Sequence, residues 1–517
     1  MKIKKIMAML LAATMIMGST ITTFAAQGET PKDTDKAKVE VSNVDTGATV
    51  TAYQIVDGEY NENGFVKYVA AEGVTIANPL KPTSGEVAEI AKKINNNDLS
   101  SLKSFDMTDS DENGTYEAEL HPGYWVVLVR GENGSAKIYN PMLVSVWYSK
   151  SGSDNTMVSE SVSAGDDWSL GTDKAWAKSS EITLTKTAKD SADFGEDVEY
   201  TLKAKVPAYG PEYIAPTFSI KDEMGEGELE LVKDSIQVYH TEAKEENKVA
   251  DTNFTLTGNV DKSKTFTVEF NSNWIKANGN KDVVITYNAK VLEDNVNKDS
   301  HDNTATLTYS NNPSTTDTKT ASQKVYSFDI GGEATGTNGL ITKKGEGADK
   351  NKLAGAEFTL YTDDQCKNQY VNAHHKAGKA TAISNSEGNI YITGLEAGTN
   401  GAVVSYYLKE TKAPEGYSLN DTVFKIDISA NIENEELKSW NITISDQNEN
   451  TVENNFKVTL DGVENDHKGD GFEILNTKLS SLPSTGGIGT TIFTIGGCAI
   501  MVAAAGLFFV SRRKANK

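Results

Sequence analysis

Few side chains in this sequence have the types and spacing that enzymes use for chemistry. Six histidines and two cysteines occur among 517 residues, and none forms an H-E-x-x-H or C-x-x-C pattern that would hold a metal ion. Residues 109–114 (DSDENG) resemble the start of a calcium loop, but Leu120 occupies the twelfth position, where an EF-hand needs a bidentate glutamate. Cys366 follows two aspartates and has no electropositive neighbourhood that would favour a thiolate. The sequence therefore predicts no metal site, no cofactor and no enzyme active site.

The charge balance excludes another class of function. The chain has 73 acidic and 50 basic residues, a formal net charge of −23. Proteins that hold nucleic acid through its phosphates carry a basic surface, so we expect no nucleic-acid partner. The two cysteines, Cys366 and Cys498, are also too few for a disulfide framework.

Both ends of the chain carry targeting patterns. Residues 1–26 begin with lysines, continue with an apolar run too short to span a membrane, and end in small residues, as secretory signal peptides do. Near the other end an apolar run, 488–510, is long enough to cross a hydrocarbon core of roughly 30 Å, and Arg512, Arg513 and Lys514 follow it. We therefore expect a secreted chain that is held in the membrane by its C-terminal helix.

The middle of the chain has the pattern of β-strands. Short runs alternate apolar and polar residues, for example 265–270 (TFTVEF) and 304–309 (TATLTY). Such period-two alternation predicts the half-buried strands of β-sandwiches. Residues 84–94 (SGEVAEIAKKI) instead have apolar residues at helical spacing. The prediction is an all-β fold of tandem immunoglobulin-like β-sandwich domains, with a short helix in the first domain.

Repeats of one strand pattern indicate the domain boundaries. The apolar, Thr-rich runs 182–186 (ITLTK) and 340–343 (LITK) both end in lysine, and each opens a segment large enough for one core. The predicted divisions are a signal peptide at 1–26, three domains at 27–178, 179–332 and 333–480, and a C-terminal segment at 481–517.

The sequence LPSTG directly precedes the C-terminal apolar run. Its residues are Leu482, Pro483, Ser484, Thr485 and Gly486. Together with the basic tail and the signal peptide, this motif resembles the cell-wall sorting signal of Gram-positive bacteria. The resemblance implies that a sortase cysteine attacks the Thr485 carbonyl, releases Gly486 and everything after it, and passes the acyl group to an amine. The mature chain would then be attached covalently to the cell wall.

Three stretches of the last predicted domain carry a second resemblance. They are 353–361 (LAGAEFTLY), 407–417 (YLKETKAPEGY) and 472–478 (FEILNTK). The motifs L-x-G-A-x-F and L-K-E-x-x-A-P-x-G-Y resemble the CnaB-type domain of Gram-positive pilins and adhesins, which carries a Lys–Asn isopeptide bond between its first and last strands. The resemblance implies Lys343 as the nucleophile, Asn476 as the acceptor and Glu410 as the assisting acid.

Isopeptide chemistry explains why such residues must be buried together. A protonated lysine is no nucleophile, and burial among apolar side chains lowers its pKa towards the neutral amine. A buried acid can then donate to the asparagine carboxamide, and the attack expels ammonia. Lys344 is the adjacent alternative to Lys343, but alternation along a strand turns only one of the two inward.

The middle domain shows a looser resemblance, to the CnaA-type, isopeptide-forming middle domain of fimbrial subunits. The matching segments are 218–222 (FSIKD) and 303–311 (NTATLTYSN). By position the resemblance implies Lys186, Asp222 and Asn303 as nucleophile, acid and acceptor, with Asn311 as an alternative acceptor. The first domain offers no comparable trio, so none is assigned there.

Polymerisation into a pilus would need one further lysine. Backbone pilins of this family keep it near the end of the first domain in a V-Y-P-K-type strand, and residues 175–180 (AWAKSS) lie at that place. The segment departs from the pattern, with Ala177 where proline is usual. By position the resemblance implies Lys178 as the residue that attacks the Thr485 acyl-enzyme, with Lys174 as the alternative.

These features predict the major backbone subunit of a covalent cell-surface pilus. The implied partners are a class C-type pilus sortase, a housekeeping sortase, other copies of the chain, tip and basal pilins, and peptidoglycan. Two other functions stay open. One is a monomeric wall-anchored adhesin that binds a host protein or glycan; the other is a wall-bound enzyme, which the lack of a catalytic constellation disfavours.

Overall fold

The computed structural model divides the chain into two compact units. The first unit contains residues up to 327 together with 434–436, and the second contains 328–433 and the residues from 437 onwards. The structure describes residues 29–130, 137–150, 157–260, 262–292, 295–297, 299–332, 337–348, 350–460, 462–465, 471–479 and 489–515. The predicted signal peptide and the LPSTG motif lie outside these ranges.

The first twelve strands of the first unit pair, among the described strands, only with one another. They are β1 (Ala37–Ser42), β2 (Thr49–Asn61), β3 (Gly64–Ala70), β4 (Ser104–Met107), β5 (Tyr116–Leu120), β6 (Gly123–Arg130), β7 (Lys137–Tyr139), β8 (Met142–Lys150), β9 (Val162–Ser163), β10 (Trp168–Thr172), β11 (Lys174–Trp176) and β12 (Ser179–Glu181). The largest sheet has the order β10-β8-β6-β2-β3-β9, with β4 also paired to β2. A second sheet has the order β11-β1-β5, with β1 and β11 parallel, and β12 pairs with β7.

The predicted helix is present as α1 (Ser84–Asn95). Its N-terminus is closed by a capping box, in which the Thr83 hydroxyl accepts the Glu86 N–H at 3.3 Å and the Glu86 carboxylate accepts the Thr83 N–H at 2.8 Å. The helix is amphipathic, and its buried face joins the core of the β1–β12 strands. That face consists of Val87, Ala88, Ile90, Ala91 and Ile94.

A second set of strands in the first unit forms two five-stranded sheets. The strands are β13 (Leu184–Thr187), β14 (Asp197–Lys205), β15 (Phe218–Met224), β16 (Leu229–Leu231), β17 (Gln237–His240), β18 (Phe254–Thr257), β19 (Thr265–Phe270), β20 (Asp282–Val291), β21 (His301–Asn312) and β22 (Thr315–Val325). One sheet has the order β13-β14-β20-β16, with β17 also on β20, and the other has the order β18-β19-β15-β21-β22. The helical segments are α2 (Ser272–Ala277) and two 3₁₀ turns, Glu245–Asn247 and Asp251–Asn253.

The second unit is also built from strands. They are β23 (Phe328–Ile330), β24 (Ile341–Gly345), β25 (Glu357–Tyr361), β26 (Ala382–Ile383), β27 (Ile392–Leu395), β28 (Val404–Lys412), β29 (Val423–Glu433), β30 (Glu436–Ser445), β31 (Thr451–Thr459), β32 (Gly462–Asn465) and β33 (Phe472–Asn476), followed by helix α3 (Gly489–Ala515). Its main sheet has the order β26-β25-β28-β29-β30-β31-β32. Two smaller sheets are β23-β27 and the parallel pair β24-β33. The strands confirm the all-β prediction.

The structure divides the chain less finely than the sequence interpretation does. Pairing of β12 with β7 extends the first strand set three residues past the predicted boundary at 178. No ladder among the described strands joins β1–β12 to β13–β22, although both sets lie in one compact unit. The division into three domains therefore stays a prediction.

Candidate functional sites

Six polar residues occupy core-facing positions in otherwise apolar strand faces. In a strand every second side chain points to the same face, and at these positions the buried residue is a lysine, an acid or an asparagine. Charged side chains are almost never fully buried unless they are paired, so this pattern marks a site. The six are Lys186, Asp222, Asn303, Lys343, Glu410 and Asn476, and none is more than 4% exposed.

Lys343, Glu410 and Asn476 meet inside the second unit. Strands β24 and β33 run parallel, with Gly345 opposite Asn476, and this pairing brings their core-facing side chains together. Lys343 Nζ donates to Asn476 Oδ1 and lies 3.3 Å from Glu410 Oε1. Asn476 Nδ2 donates to both carboxylate oxygens of Glu410, at 3.0 Å each. The amine, the carboxamide and the acid that an isopeptide bond requires are thus in contact.

The surroundings of this trio favour the reactive form of the lysine. Burial lowers the pKa of Lys343 to about 8, and the nearby Glu410 carboxylate opposes that shift only in part. The Phe358 ring lies 5.8 Å from Lys343 Nζ, and the backbone N–H of Asn420 holds Glu410 Oε2 at 2.7 Å. The acid is therefore fixed in position before any reaction.

The adjacent alternative, Lys344, has a different environment. Its Nζ lies 2.6 Å from Glu473 Oε1, and the side chain is 18% exposed. This ion pair lies on the opposite face of β24 from the buried trio. The geometry therefore favours Lys343 over Lys344 as the nucleophile.

Lys186, Asp222 and Asn303 meet inside the first unit around a fourth side chain, Tyr287. Lys186 Nζ contacts Asp222 Oδ2 and donates to the Tyr287 hydroxyl at 2.7 Å. That hydroxyl donates to Asp222 Oδ2 at 2.9 Å and accepts from Asn303 Nδ2 at 3.0 Å. The sequence interpretation missed Tyr287, because a core-facing tyrosine on β20 looks like an ordinary packing residue.

Burial also sets the ionisation of this second trio. It lowers the pKa of Lys186 to about 8, against the attraction of Asp222. Burial raises the pKa of Asp222, although Lys186 and the hydrogen bonds from its neighbours pull it down. Both shifts favour a neutral amine beside a protonated acid, which is the pairing that nucleophilic attack on an amide needs.

The alternative acceptor, Asn311, lies elsewhere on β21. Its Oδ1 accepts from the Thr315 hydroxyl at 2.6 Å, and its backbone carbonyl accepts from the Tyr213 hydroxyl at 3.3 Å. It is partly exposed, whereas Asn303 is buried beside the other trio members. The structure thus brings Asn303, and not Asn311, to the lysine.

The two candidate polymerisation lysines differ in their settings. Lys174 lies in β11 opposite Glu40 of β1, and its Nζ forms an ion pair with the Glu40 carboxylate. Lys178 follows β11 with an exposed side chain, while its backbone carbonyl accepts the Asn140 N–H at 3.0 Å. Trp176 between them is 59% exposed. Of the two lysines, Lys178 is the more exposed to a protein that must reach an amine.

The C-terminal apolar run forms a helix. Within α3, residues Ile492–Arg513 are long and apolar enough to cross a membrane by length and composition. The helix follows the LPSTG motif in the order that the sorting signal requires.

The remaining chemically interesting residues have ordinary structural partners. The Asp109 carboxylate accepts the N–H groups of Asn113 and Gly114, at 3.1 and 2.8 Å, which closes a polar turn. Burial raises the pKa of Cys366, which disfavours a thiolate. The buried His375 ring lies 3.1 Å from a backbone carbonyl oxygen. The expected absence of a metal and of a cofactor stays a prediction.

Comparison with protein families gives three matches in chain order. Residues 34–179 match the T6 antigen Ig-like domain, residues 338–443 match the SpaA prealbumin-like fold domain, and residues 474–517 match the LPXTG cell wall anchor motif. The trypsin-resistant surface T6 protein of Streptococcus pyogenes serotype M6 is 28% identical to the chain, over 93% of this chain and 96% of that protein.

Solved structures share the fold over most of the chain. The T6 backbone pilin of serotype M6 Streptococcus pyogenes aligns with a TM-score of 0.59 and 22% identity, covering 87% of this chain and all of that one. The major pilin SpaD of Corynebacterium diphtheriae aligns with a TM-score of 0.50 and 17% identity, covering 86% and 98%. These likenesses confirm the predicted tandem immunoglobulin-like architecture.

The fold, the domain matches and the anchor define a class, the wall-anchored surface proteins of Gram-positive bacteria. Within that class the chain is similar to the trypsin-resistant surface T6 protein and has the fold of backbone pilins, with an LPXTG-type motif that attaches it to the cell wall. The solved proteins that it resembles are structural pilus subunits, which is the class of function that the sequence predicts.

Proposed function

We propose that the chain forms the shaft of a covalent pilus in which Thr485 of one copy is joined to the Lys178 side chain of the next. A class C-type pilus sortase would cleave between Thr485 and Gly486, and a housekeeping sortase would attach the finished polymer to peptidoglycan. Tip and basal pilins would complete the fibre. The exposed side chain of Lys178 and its position after β11 support this choice of lysine.

Each buried trio would form a Lys–Asn isopeptide bond without an enzyme. The carrying observation is the hydrogen bond from Lys343 Nζ to Asn476 Oδ1 within a fully buried cluster. Lys343 passes a proton to Glu410 and attacks the Asn476 side-chain carbonyl carbon; after Glu410 has given that proton to the leaving nitrogen, it takes up the second lysine proton as the amide forms. Glu410 also contacts the departing nitrogen, so it can return one proton there, and ammonia leaves. Folding supplies the proximity that the reaction needs.

Such cross-links suit a fibre under load. The bond would join Lys343 of β24 to Asn476 of β33, two residues that lie 133 positions apart in the sequence. It would block strand separation and restrict the unfolded chain, as a long-loop disulfide does. A second bond between Lys186 and Asn303 would cross-link residues 179–332 in the same way, so two of the three proposed domains would each contain one cross-link. The solved T6 backbone pilin, described as having a modular three-domain structure, supports that division.

Mass spectrometry of digested cell-wall material tests the polymer directly. The expected product is a branched peptide that joins the Thr485 carboxyl to the Lys178 side chain of another copy. A join to Lys174 would keep the function and move the site. If Thr485 is found only on peptidoglycan, the chain is a monomeric wall-anchored adhesin and the polymer proposal is wrong.

The cross-links themselves should appear as lost ammonia. Each isopeptide bond lowers the mass of the full chain by about 17 Da, so two bonds remove about 34 Da. Peptide mapping should recover one linked pair containing Lys186 and Asn303 and another containing Lys343 and Asn476. A Lys186→Ala, Lys343→Ala double variant is the control and should show its full calculated mass. A wild-type chain with an unshifted mass would contradict both trios.

Without its cross-link, the second unit should become more stable as the pH rises above 8. In an Asn476→Ala variant Lys343 stays buried beside Glu410, with a folded-state pKa of about 8 against an ordinary value of 10.5. Between these pH values the unfolded chain binds a proton at Lys343 that the folded chain does not, so stability rises by up to about 1.4 kcal/mol per pH unit. Hydrogen exchange of peptides from the second unit measures this slope.

The control for this pH effect also removes the lysine. A Lys343→Met, Asn476→Ala double variant keeps every other titrating group and should lack the additional slope between pH 8 and 10.5. Equal slopes in the single and double variants would show that Lys343 does not titrate in this range.

A further inference from the structure

We infer that Tyr287 is a catalytic residue of the first-unit cross-link, where its hydroxyl carries the proton from Asp222 to the departing nitrogen of Asn303. This inference rests on the proposed isopeptide bond between Lys186 and Asn303. It concerns a residue outside the Lys–acid–Asn trio that the sequence pattern identifies.

The Tyr287 hydroxyl forms hydrogen bonds with all three reacting side chains. A tyrosine hydroxyl can donate one hydrogen bond and accept two. Here it donates to Asp222 Oδ2 at 2.9 Å and accepts from Asn303 Nδ2 at 3.0 Å and from Lys186 Nζ at 2.7 Å. All three hydrogen bonds that the hydroxyl can form are therefore made with members of the trio.

The ring is held so that the hydroxyl stays there. Tyr200 stacks on Tyr287 with ring centroids 5.4 Å apart and planes 10° from parallel, and Phe266 contacts it edge-on at 4.8 Å. Tyr287, Asp222 and Asn303 are each at most 1% exposed. Bulk water is therefore excluded from carrying the proton, and the transfer falls to a protein group.

Comparison of the two trios shows what the hydroxyl replaces. In the second unit Glu410 lies 3.0 Å from the leaving nitrogen of Asn476 and can protonate it directly. In the first unit the acid is an aspartate, one methylene shorter, and the group 3.0 Å from the leaving nitrogen of Asn303 is the Tyr287 hydroxyl. The Tyr287 hydroxyl thus contacts the leaving nitrogen as a carboxylate oxygen does in the other trio, although Asp222 also interacts with the Asn303 side chain.

The net result of the reaction is the transfer of one proton from Lys186 Nζ to Asn303 Nδ2. From the neutral amine and the protonated acid, Lys186 Nζ attacks the Asn303 side-chain carbon and the N–C bond forms. In the tetrahedral intermediate Asn303 Nδ2 has a lone pair, so the Tyr287 hydroxyl turns to donate to it; Asp222 gives its proton to the Tyr287 oxygen while the Tyr287 proton passes to Nδ2. The C–N bond to Nδ2 breaks, ammonia leaves, and the extra proton on Nζ returns to Asp222. No oxidant, metal or cofactor is consumed.

The test compares the rates of the two cross-links within the same full chain. Cell-free synthesis in the presence of detergent micelles is pulsed, quenched at intervals and digested, and both linked peptides are quantified. Tyr287→Phe should slow the Lys186–Asn303 bond by about 100-fold or more, the usual contribution of a positioned acid–base group. The Lys343–Asn476 bond should form at its wild-type rate and serves as the internal reference.

A matched variant separates catalysis from packing. Tyr213→Phe also removes a buried hydroxyl from the first unit, one that donates to the Asn311 carbonyl at 3.3 Å, and it should leave both rates unchanged. Trifluorotyrosine at position 287 keeps the ring and the hydroxyl but makes the hydroxyl more acidic. A relay then shows a pH–rate profile moved to lower pH, whereas a packing role leaves the profile where it was. The trifluorotyrosine chain also decides the matter if Tyr287→Phe fails to fold.

The wild-type chain and the Tyr287→Phe variant together test the Tyr287 relay separately from the proposed Lys186–Asn303 cross-link. If the wild-type chain forms no Lys186–Asn303 bond, the proposed cross-link is wrong. If the wild-type bond forms and Tyr287→Phe forms it equally fast, only the relay is overturned.

Discussion

Replacing Lys178 with arginine is expected to abolish the pilus polymer and leave single chains on the cell wall. Arginine keeps the positive charge and nearly the length of the side chain, but its guanidinium is protonated at every accessible pH and cannot attack an acyl-enzyme. The exposed position after β11 places no core contact at risk. Immunoblots of wall extracts should change from a ladder of high-mass species to a single monomer band.

Lys174→Arg provides the matched control for that experiment. It retains the charge that pairs with Glu40 across β1 and β11, and it should leave the ladder intact. Thr485→Ala should remove both the ladder and the wall attachment, because it alters the residue whose carbonyl the sortase attacks. A ladder that survives Lys178→Arg and disappears with Lys174→Arg would assign polymerisation to the other lysine.

Glu410→Gln is expected to prevent the Lys343–Asn476 bond and to destabilise the second unit severely. The amide keeps the size of the side chain but can neither accept the lysine proton nor return it to the leaving nitrogen. The cross-link would close a loop of more than 100 residues, and in the chain-entropy account of such loops its absence lowers the free energy of unfolding by about 5 kcal/mol. The variant should be about 17 Da heavier than an otherwise identical cross-linked chain and far more sensitive to trypsin.

Glu473→Gln is the control for the loss of a glutamate from the same sheet region. Glu473 pairs with Lys344 and Lys350 on the opposite strand face from the buried trio, and its side chain is 17% exposed. Its loss should cost about 1 kcal/mol or less, as for other ion pairs close to the surface, and should leave the cross-link and its mass deficit unchanged. If Glu410→Gln keeps the full ammonia loss, Glu410 has no part in the reaction.

Local sequence patterns predicted much of the fold correctly. The alternating run 265–270 is strand β19 and the run 304–309 lies inside β21, because period-two alternation is a property of the extended backbone itself. The helical spacing at 84–94 corresponds to α1, whose capping box is also visible in the sequence. Domain boundaries were harder, since β12 pairs back onto β7 and no local pattern encodes a pairing partner.

The candidate sites were likewise only partly predictable from the sequence. The sequence shows that one of the adjacent lysines Lys343 and Lys344 must turn inward, because side chains alternate along a strand. Which core residues meet depends on strand order and register. The parallel pairing of β24 with β33, for example, places Asn476 at the lysine. Tyr287 had no distinguishing pattern, and its part in the trio is visible only from its three hydrogen bonds.

The sequence by itself determined the class of the protein, because sorting signals and strand alternation are read locally, by a sortase or by the extended backbone, without regard to the rest of the fold. Only the tertiary structure separated Lys343 from Lys344, Asn303 from Asn311, and the setting of Lys178 from that of Lys174. Each of these pairs contains the same residue type, so composition cannot distinguish its members. Burial, exposure and distance do, and these are properties of the packed strands.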